Sequence, residues 1–96
     1  MGIEIIWSAK AVQSFEETIE NILFYWTERE VRIFTKKVSE ILTLLKSNPQ
    51  LFAVSKSKKY HHKVVINYHI SMYYRFEPRK NKIQIQLFRA NKQKPI

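Results

Sequence analysis

The chain has 96 residues, 45% of them apolar, with 17 Lys/Arg against 8 acidic residues for a net charge of +9, one glycine, no cysteine and no aspartate. That composition fits one domain able to close a small core, and it excludes a disulfide frame, a thiolate zinc site, a glycine-rich phosphate loop and a Ser-His-Asp triad. No apolar run approaches the ~18 residues of a membrane span, and no cationic segment leads into an apolar block at the start, so a soluble cytoplasmic protein without membrane contacts is expected.

In chain order, Ile3, Ile5 and Trp7 alternate with Glu4 and Ile6, the pattern of a short and largely buried strand. Ser8 is placed to cap a helix whose apolar stripe is Val12, Phe15, Ile19, Ile22, Leu23 and Trp26, with Glu16, Glu17, Glu20 and Asn21 on the other side. Thr27-Glu28-Arg29-Glu30 has the form of a capping box. It predicts a second helix with the stripe Val31, Phe34, Val38, Ile41, Leu42 and Leu45, ended by Asn48-Pro49 because proline disfavours helical geometry in the residue before it. With so short a link, the two helices form an antiparallel hairpin.

Beyond Pro49 an apolar lead, Leu51 to Val54, runs into the basic segment 55–59, and the hydrophobic period then changes from 3.6 to 2. Tyr60–Ile66, His69–Phe76 and Lys82–Arg89 are predicted strands, the last with Ile83, Ile85 and Leu87 alternating against Gln84, Gln86 and Phe88. Asn67-Tyr68 and Glu77–Asn81 are the turns between them. The order β-α-α-β-β-β predicts a single α+β domain over residues 1–96, an antiparallel helix hairpin packed on one face of a largely antiparallel four-stranded sheet. The other face of that sheet is left open.

The charge is divided as sharply as the period. Residues 1–50 hold 6 Lys/Arg against 7 Glu, whereas residues 51–96 hold 11 Lys/Arg against Glu77 alone. Cations gathered in this way are tolerated where phosphates or an acidic partner offset their repulsion, which points to a nucleic acid or an acidic protein. The densest group is Lys56, Lys58, Lys59, Tyr60, His61, His62 and Lys63, in which imidazole moves protons and the cations neutralise phosphoryl oxygens. Adjacent residues of a strand point to opposite faces, so at most one of the two histidines shares a site with Lys59 or Lys63. A second group is Arg75, Arg79, Lys80, Lys82, Arg89, Lys92 and Lys94, and Tyr60, Tyr68, Tyr73 and Tyr74 are candidates for stacking on bases. Tyr74, in phase with Ile70, Met72 and Phe76, is expected in the core, and His69 at a turn or edge. Two-metal nuclease chemistry has almost no carboxylate ligands in this half, Glu77 being its one acidic residue.

Ile5-Ile6-Trp7-Ser8 with Ala11, Phe34, Leu44-Leu45 with Asn48-Pro49, Lys63-Val64-Val65, Tyr74-Arg75 and Phe88 followed by Lys92-Gln93-Lys94-Pro95 together resemble the RelE/ParE toxin superfamily of type II toxin–antitoxin modules, over the whole chain. The resemblance implies a small basic toxin held inactive by a cognate acidic antitoxin. RelE-like members cleave mRNA on the ribosome without metal or cofactor, and ParE-like members inhibit DNA gyrase. By motif position the resemblance implies a catalytic set of Lys59, His62, Lys63, Arg75 and Lys92, with His62 carrying the proton. Lys56, Lys58, Tyr60, His61, Arg79, Arg89 and Lys94 would then bind nucleic acid. The sequence departs from the family in having His61-His62 where an arginine-rich pair is more usual, and in lacking a tyrosine-bearing tail. The expected function is a metal-independent, ribosome-associated mRNA endonuclease; the alternatives are a gyrase inhibitor and a decayed toxin that retains only antitoxin binding.

Overall fold

The computed structural model describes residues 3–52, 61–67 and 69–90. Strand β1 (Glu4–Trp7) leads into helices α1 (Ala9–Tyr25) and α2 (Glu28–Ser47), followed by β2 (His61–Val65), β3 (Ile70–Glu77), a single 3-10 turn (Pro78–Lys80) and β4 (Lys82–Ala90). The sheet order is β1-β4-β3-β2, antiparallel from β4 to β2, with β1 added parallel to β4. This is the expected α+β layer, with helices on one side of a mixed sheet.

The local chemistry sets the element ends. Ser8 caps α1 as expected, its hydroxyl accepting from the Ala11 N–H at 3.0 Å. The α2 start also falls where predicted, but the capping box does not form. Thr27 makes no side-chain cap bond, and the turn is held by the Glu30 N–H donating to the Thr27 carbonyl at 3.0 Å, with Glu28 and Glu30 placed favourably toward the helix dipole. Between β3 and β4, Asn81 takes the left-handed conformation (φ 51°) that Asn tolerates better than most residues, so the turn closes without glycine.

The core faces the helices. Phe34, Val38, Ile41 and Leu45 of α2 meet Val64, Met72, Tyr74, Phe76, Ile83, Ile85 and Phe88 of the sheet, all buried. The α1 stripe differs from expectation. Ala11, fully buried, seats that helix directly on the sheet and Thr18 follows on the same face, which turns Val12 and Leu23 toward solvent; Trp26 lies past the last turn and is exposed.

A bulge decides which β4 side chains reach this core. Tyr73 pairs with Leu87 and Tyr74 with Ile85, so Gln86 is an extra residue and the inward phase moves from Ile83 and Ile85 to Phe88. Leu87 and Phe88 therefore exchange the faces that strict alternation gave them. Phe88 packs against Trp7 (ring centroids 5.5 Å), Phe15 (5.1 Å) and Phe34 (6.3 Å). Two serines of the α1 region satisfy the disrupted ladder. The Ser8 hydroxyl donates to the Gln86 carbonyl at 3.0 Å, and the Ser14 hydroxyl accepts from the Phe88 N–H at 2.9 Å.

Ser14→Ala strands the Phe88 N–H in a site water reaches poorly. The expected loss is about 1–3 kcal/mol of unfolding free energy in urea titration, more than substitution of an exposed helix serine such as Ser39.

Candidate functional site: the sheet face opposite the helices

The strand period carries the charge to the face opposite the helices. Across β2, β3 and β4 the cross-strand rows on that face are His61–Arg75–Gln84, Lys63–Tyr73–Leu87 and Val65–Ser71–Arg89. Lys63, Arg75 and Arg89 are exposed, and His61 and Tyr73 are half-buried. Directly paired residues hold their Cβ atoms ~4.5–5.5 Å apart, so His61 and Arg75 present their heads to one ligand-sized area. The Lys63 ammonium lies 5.9 Å from the centre of the Tyr73 ring. Arg75 and Arg89 are four residues apart along β3 register, a separation of roughly 13 Å, with the Lys63–Tyr73 row between them.

Acidic compensation is small. Glu77 lies 3.7 Å from Lys80. Lys63, Arg75 and Arg89 are exposed on this face. Arg79 sits with Lys80 on the 3-10 turn, beside Arg75 around a shallow depression of about 470 Å³ at the end of the sheet.

His62 is not part of this surface. It lies on the helix-facing side at 5% exposure, one position out of phase with Lys63 and across the sheet from Arg75. Its ring and the Arg75 side chain therefore lie on opposite sides of the sheet. The signal was present in the sequence, since placing Lys63 outward places His61 outward with it. Lys56, Lys58, Lys59, Tyr60, Lys92 and Lys94 lie outside the described residues, as does Tyr68. His69 is at the β2–β3 turn, as expected, where the Asn67 side-chain carbonyl accepts from the N–H groups of His69 (2.7 Å) and Ile70 (2.9 Å).

His62 instead forms a buried clasp with Tyr74. The two rings stack at 4.8 Å and 8°. His62 Nδ1 is 3.0 Å from the Phe52 carbonyl and donates to it in the tautomer that pairs this contact, while the Tyr74 hydroxyl donates to the Pro49 carbonyl at 3.1 Å. The segment that follows α2 is thus tied to the underside of β2 and β3. Burial pushes the Tyr74 phenol up to about 12, against a smaller downward pull from the Phe52 backbone.

No protein-family model and no curated protein matches the sequence. Solved structures do. The chain superposes on one from the chromosomal ParDE TA system of P. aeruginosa with a TM-score of 0.74 at 12% identity, over 94% of this chain and 97% of that one. It matches the YoeB/ParE toxin from Agrobacterium tumefaciens at 0.66 and 13% identity, over 94% and 100%. A chain of the YoeB-YefM complex from Staphylococcus aureus follows at 0.61 and 18%, over 94% and 98%. Nearly the whole chain therefore shares the fold of these ParDE and YoeB toxin-system chains.

The clasp makes stability fall at high pH. The unfolded phenol ionises near 10 and the native one near 12, so the unfolded chain releases this proton first and gains on the native state as pH rises between those values. Tyr74→Phe is expected to lower stability at pH 8 by about 1 kcal/mol through loss of the Pro49 bond. It is also expected to remove about 2–3 kcal/mol of the decline between pH 9 and pH 12. Urea titrations of both proteins across that range, read as their difference, measure both effects.

Proposed function

We propose that this chain is the toxin of a toxin–antitoxin module, and that its uncovered sheet face engages mRNA on the ribosome and cleaves it without a metal. The observation that carries this reading is the row His61–Arg75 beside Lys63–Tyr73, presented on a RelE/ParE toxin fold with no carboxylate paired to the cations among the described residues.

The chemistry follows from those four groups. The ribose 2′-oxygen attacks the adjacent phosphorus, the bond from phosphorus to the 5′-oxygen breaks, and the leaving 5′-oxygen takes a proton from solvent water, giving a 2′,3′-cyclic phosphate and a free 5′-hydroxyl. His61 takes the 2′-hydroxyl proton as general base, because it carries the one imidazole in the row, directly paired with Arg75. Arg75 and Lys63 stabilise the negative charge that builds on the non-bridging oxygens, and Tyr73 offers its ring to an unstacked base. Arg79 and Arg89 extend the electropositive surface, and the lysines at 56, 58, 59, 92 and 94, outside the described residues, supply further salt-dependent affinity in this reading.

A second reading, inhibition of DNA gyrase without cleavage, is favoured by the higher TM-score with the ParDE chain and by the burial of the histidine that motif position had selected. Both readings place an acidic antitoxin over the same cations, since partner binding is what offsets them when the toxin is held inactive.

The deciding experiment is a reconstituted translation reaction with mapping of mRNA ends. Cuts that depend on translating ribosomes are expected. His61→Ala and Arg75→Ala should each slow cleavage by roughly 10²–10³, while His62→Ala should lower stability and leave the rate of the folded fraction within a few-fold. Intact message under full translation arrest, or supercoiling inhibition at equal concentration, transfers the assignment to the second reading.

A further inference from the structure

Glu77 is the one acidic residue among positions 51–96, and the fold sets it at a cationic end of the sheet. By strand alternation it shares the outer face of β3 with Arg75. With Arg75, Phe76, Pro78, Arg79 and Lys80 it lines the depression of about 470 Å³ at the β3–β4 turn. Its side chain, 24% exposed, holds the 67% exposed Lys80 at 3.7 Å, and Lys82 stands between Glu77 and Glu4 in the strand register. Among the described residues, four cations thus meet two carboxylates at this end, and the surplus falls to Arg75 and Arg79. The turn that carries them is braced. Pro78 opens it, the Asn81 N–H donates to the Pro78 carbonyl at 3.2 Å, and the Glu4 N–H donates to the Asn81 carbonyl at 3.2 Å. A fixed backbone lowers the entropic cost of ordering its side chains around a ligand.

We propose that this depression is a subsite for the phosphodiester next to the scissile one, clamped between Arg75 and Arg79, and that Glu77 limits its occupancy by holding Lys80. The inference rests on the reading of the sheet face as an RNA-cleaving surface and adds a path for the strand. Arg75 is common to both places, since it pairs with His61 across β2 and β3 and also lines the depression. A guanidinium presents its donors in a planar fork wide enough to bridge two phosphates, and phosphates bridged by one side chain are neighbours on the strand. Arg79 meets the second of them from the turn. The strand therefore passes from the His61–Arg75 row over residues 78–80. Glu77 acts the other way, because a carboxylate beside a bound phosphate repels it and keeps the Lys80 ammonium engaged. Affinity is thereby held below what the cations alone would give, which speeds release of the cut strand. Carboxylates of an acidic protein suit the same guanidinium groups, but continuity with the His61–Arg75 row favours RNA.

Anisotropy of a fluorescent single-stranded RNA of about eight nucleotides, 2′-O-methylated so that it cannot be cut and titrated with the full chain across NaCl concentrations, tests the proposal. Arg79→Ala is expected to weaken binding roughly 10-fold and to lower the salt slope by about 0.7, the share of one phosphate on a single strand. Glu77→Gln is expected to tighten binding about 3-fold or more. Lys36→Ala, an equal loss of charge on the exposed surface of α2, should change it by less than about 2-fold. In the translation reaction Arg79→Ala should raise KM and leave kcat alone, because its contact lies outside the reacting phosphate. Unchanged affinity and slope in Arg79→Ala, weaker binding by Glu77→Gln, or an equal loss in Lys36→Ala overturns the subsite, while cleavage by the parent chain would still stand. The expected binding pattern with message left intact supports the subsite and removes the cleavage reading. A polyglutamate chain bound with the same dependence on Arg79 assigns the depression to an acidic protein and overturns the proposal.

Discussion

The β4 bulge is the constraint on which the two faces of the sheet depend. A strand with strict alternation would have sent Leu87 inward with Ile83 and Ile85, and Phe88 and Gln86 outward. The extra residue reverses this beyond Ile85, bringing Phe88 into the centre of the Trp7, Phe15 and Phe34 cluster and sending Arg89 to the open side. Such an insertion leaves backbone groups unpaired, and it persists because partners are supplied from outside the sheet. Ser8 and Ser14, six residues apart at the start of α1, bond the Gln86 carbonyl and the Phe88 N–H. The same two hydroxyls also serve the helix, one as its cap and one by donating back to the Lys10 carbonyl at 2.7 Å. Helix placement and strand register are therefore one arrangement.

With that register fixed, the sheet acts as a partition between two kinds of chemistry. Its helix side holds titratable groups in low dielectric, where Tyr74 stays protonated far into the alkaline range and stacks on His62. Its outer side holds cations that share solvent and have little acidic compensation. The alternation that separates His61 from His62 is enough to give one imidazole a structural part and the other a surface position, a difference that composition alone does not convey.

Much of this was legible in the chain because it rests on period and on local chemistry. The change from a 3.6 to a 2 repeat after Pro49, the Ser8 cap and the Asn48-Pro49 stop gave the element order, and Tyr74 was rightly expected inside from its phase with Met72 and Phe76. The rest depended on tertiary facts. Nothing local in Ile85-Gln86-Leu87-Phe88 announces an inserted residue, since the groups that satisfy it are serines more than 70 positions away. The α1 stripe was drawn too wide because Ala11, small enough to let the helix settle on β4, counts for little in a hydrophobic pattern yet orients the whole helix. The capping box failed for a related reason: Thr27 and Glu30 have suitable side chains, but the backbone turn already closes the helix start. Likeness to known folds behaves similarly, with 12–18% identity alongside TM-scores from 0.61 to 0.74, because burial pattern and register can be kept by many different side chains.

The parallel pairing of β1 with β4 also has a bearing on how the molecule comes into being. Strand β1 has no hydrogen-bonding neighbour until β4 is made, and the Ser8 hydroxyl must wait for a carbonyl 78 residues downstream. During synthesis the helix hairpin has no floor, Trp7 has no ring to stack on, and the cations of β2 and β3 have no completed surface on which to gather. Closure of the sheet therefore depends on contacts of high sequence separation, the kind that slow folding.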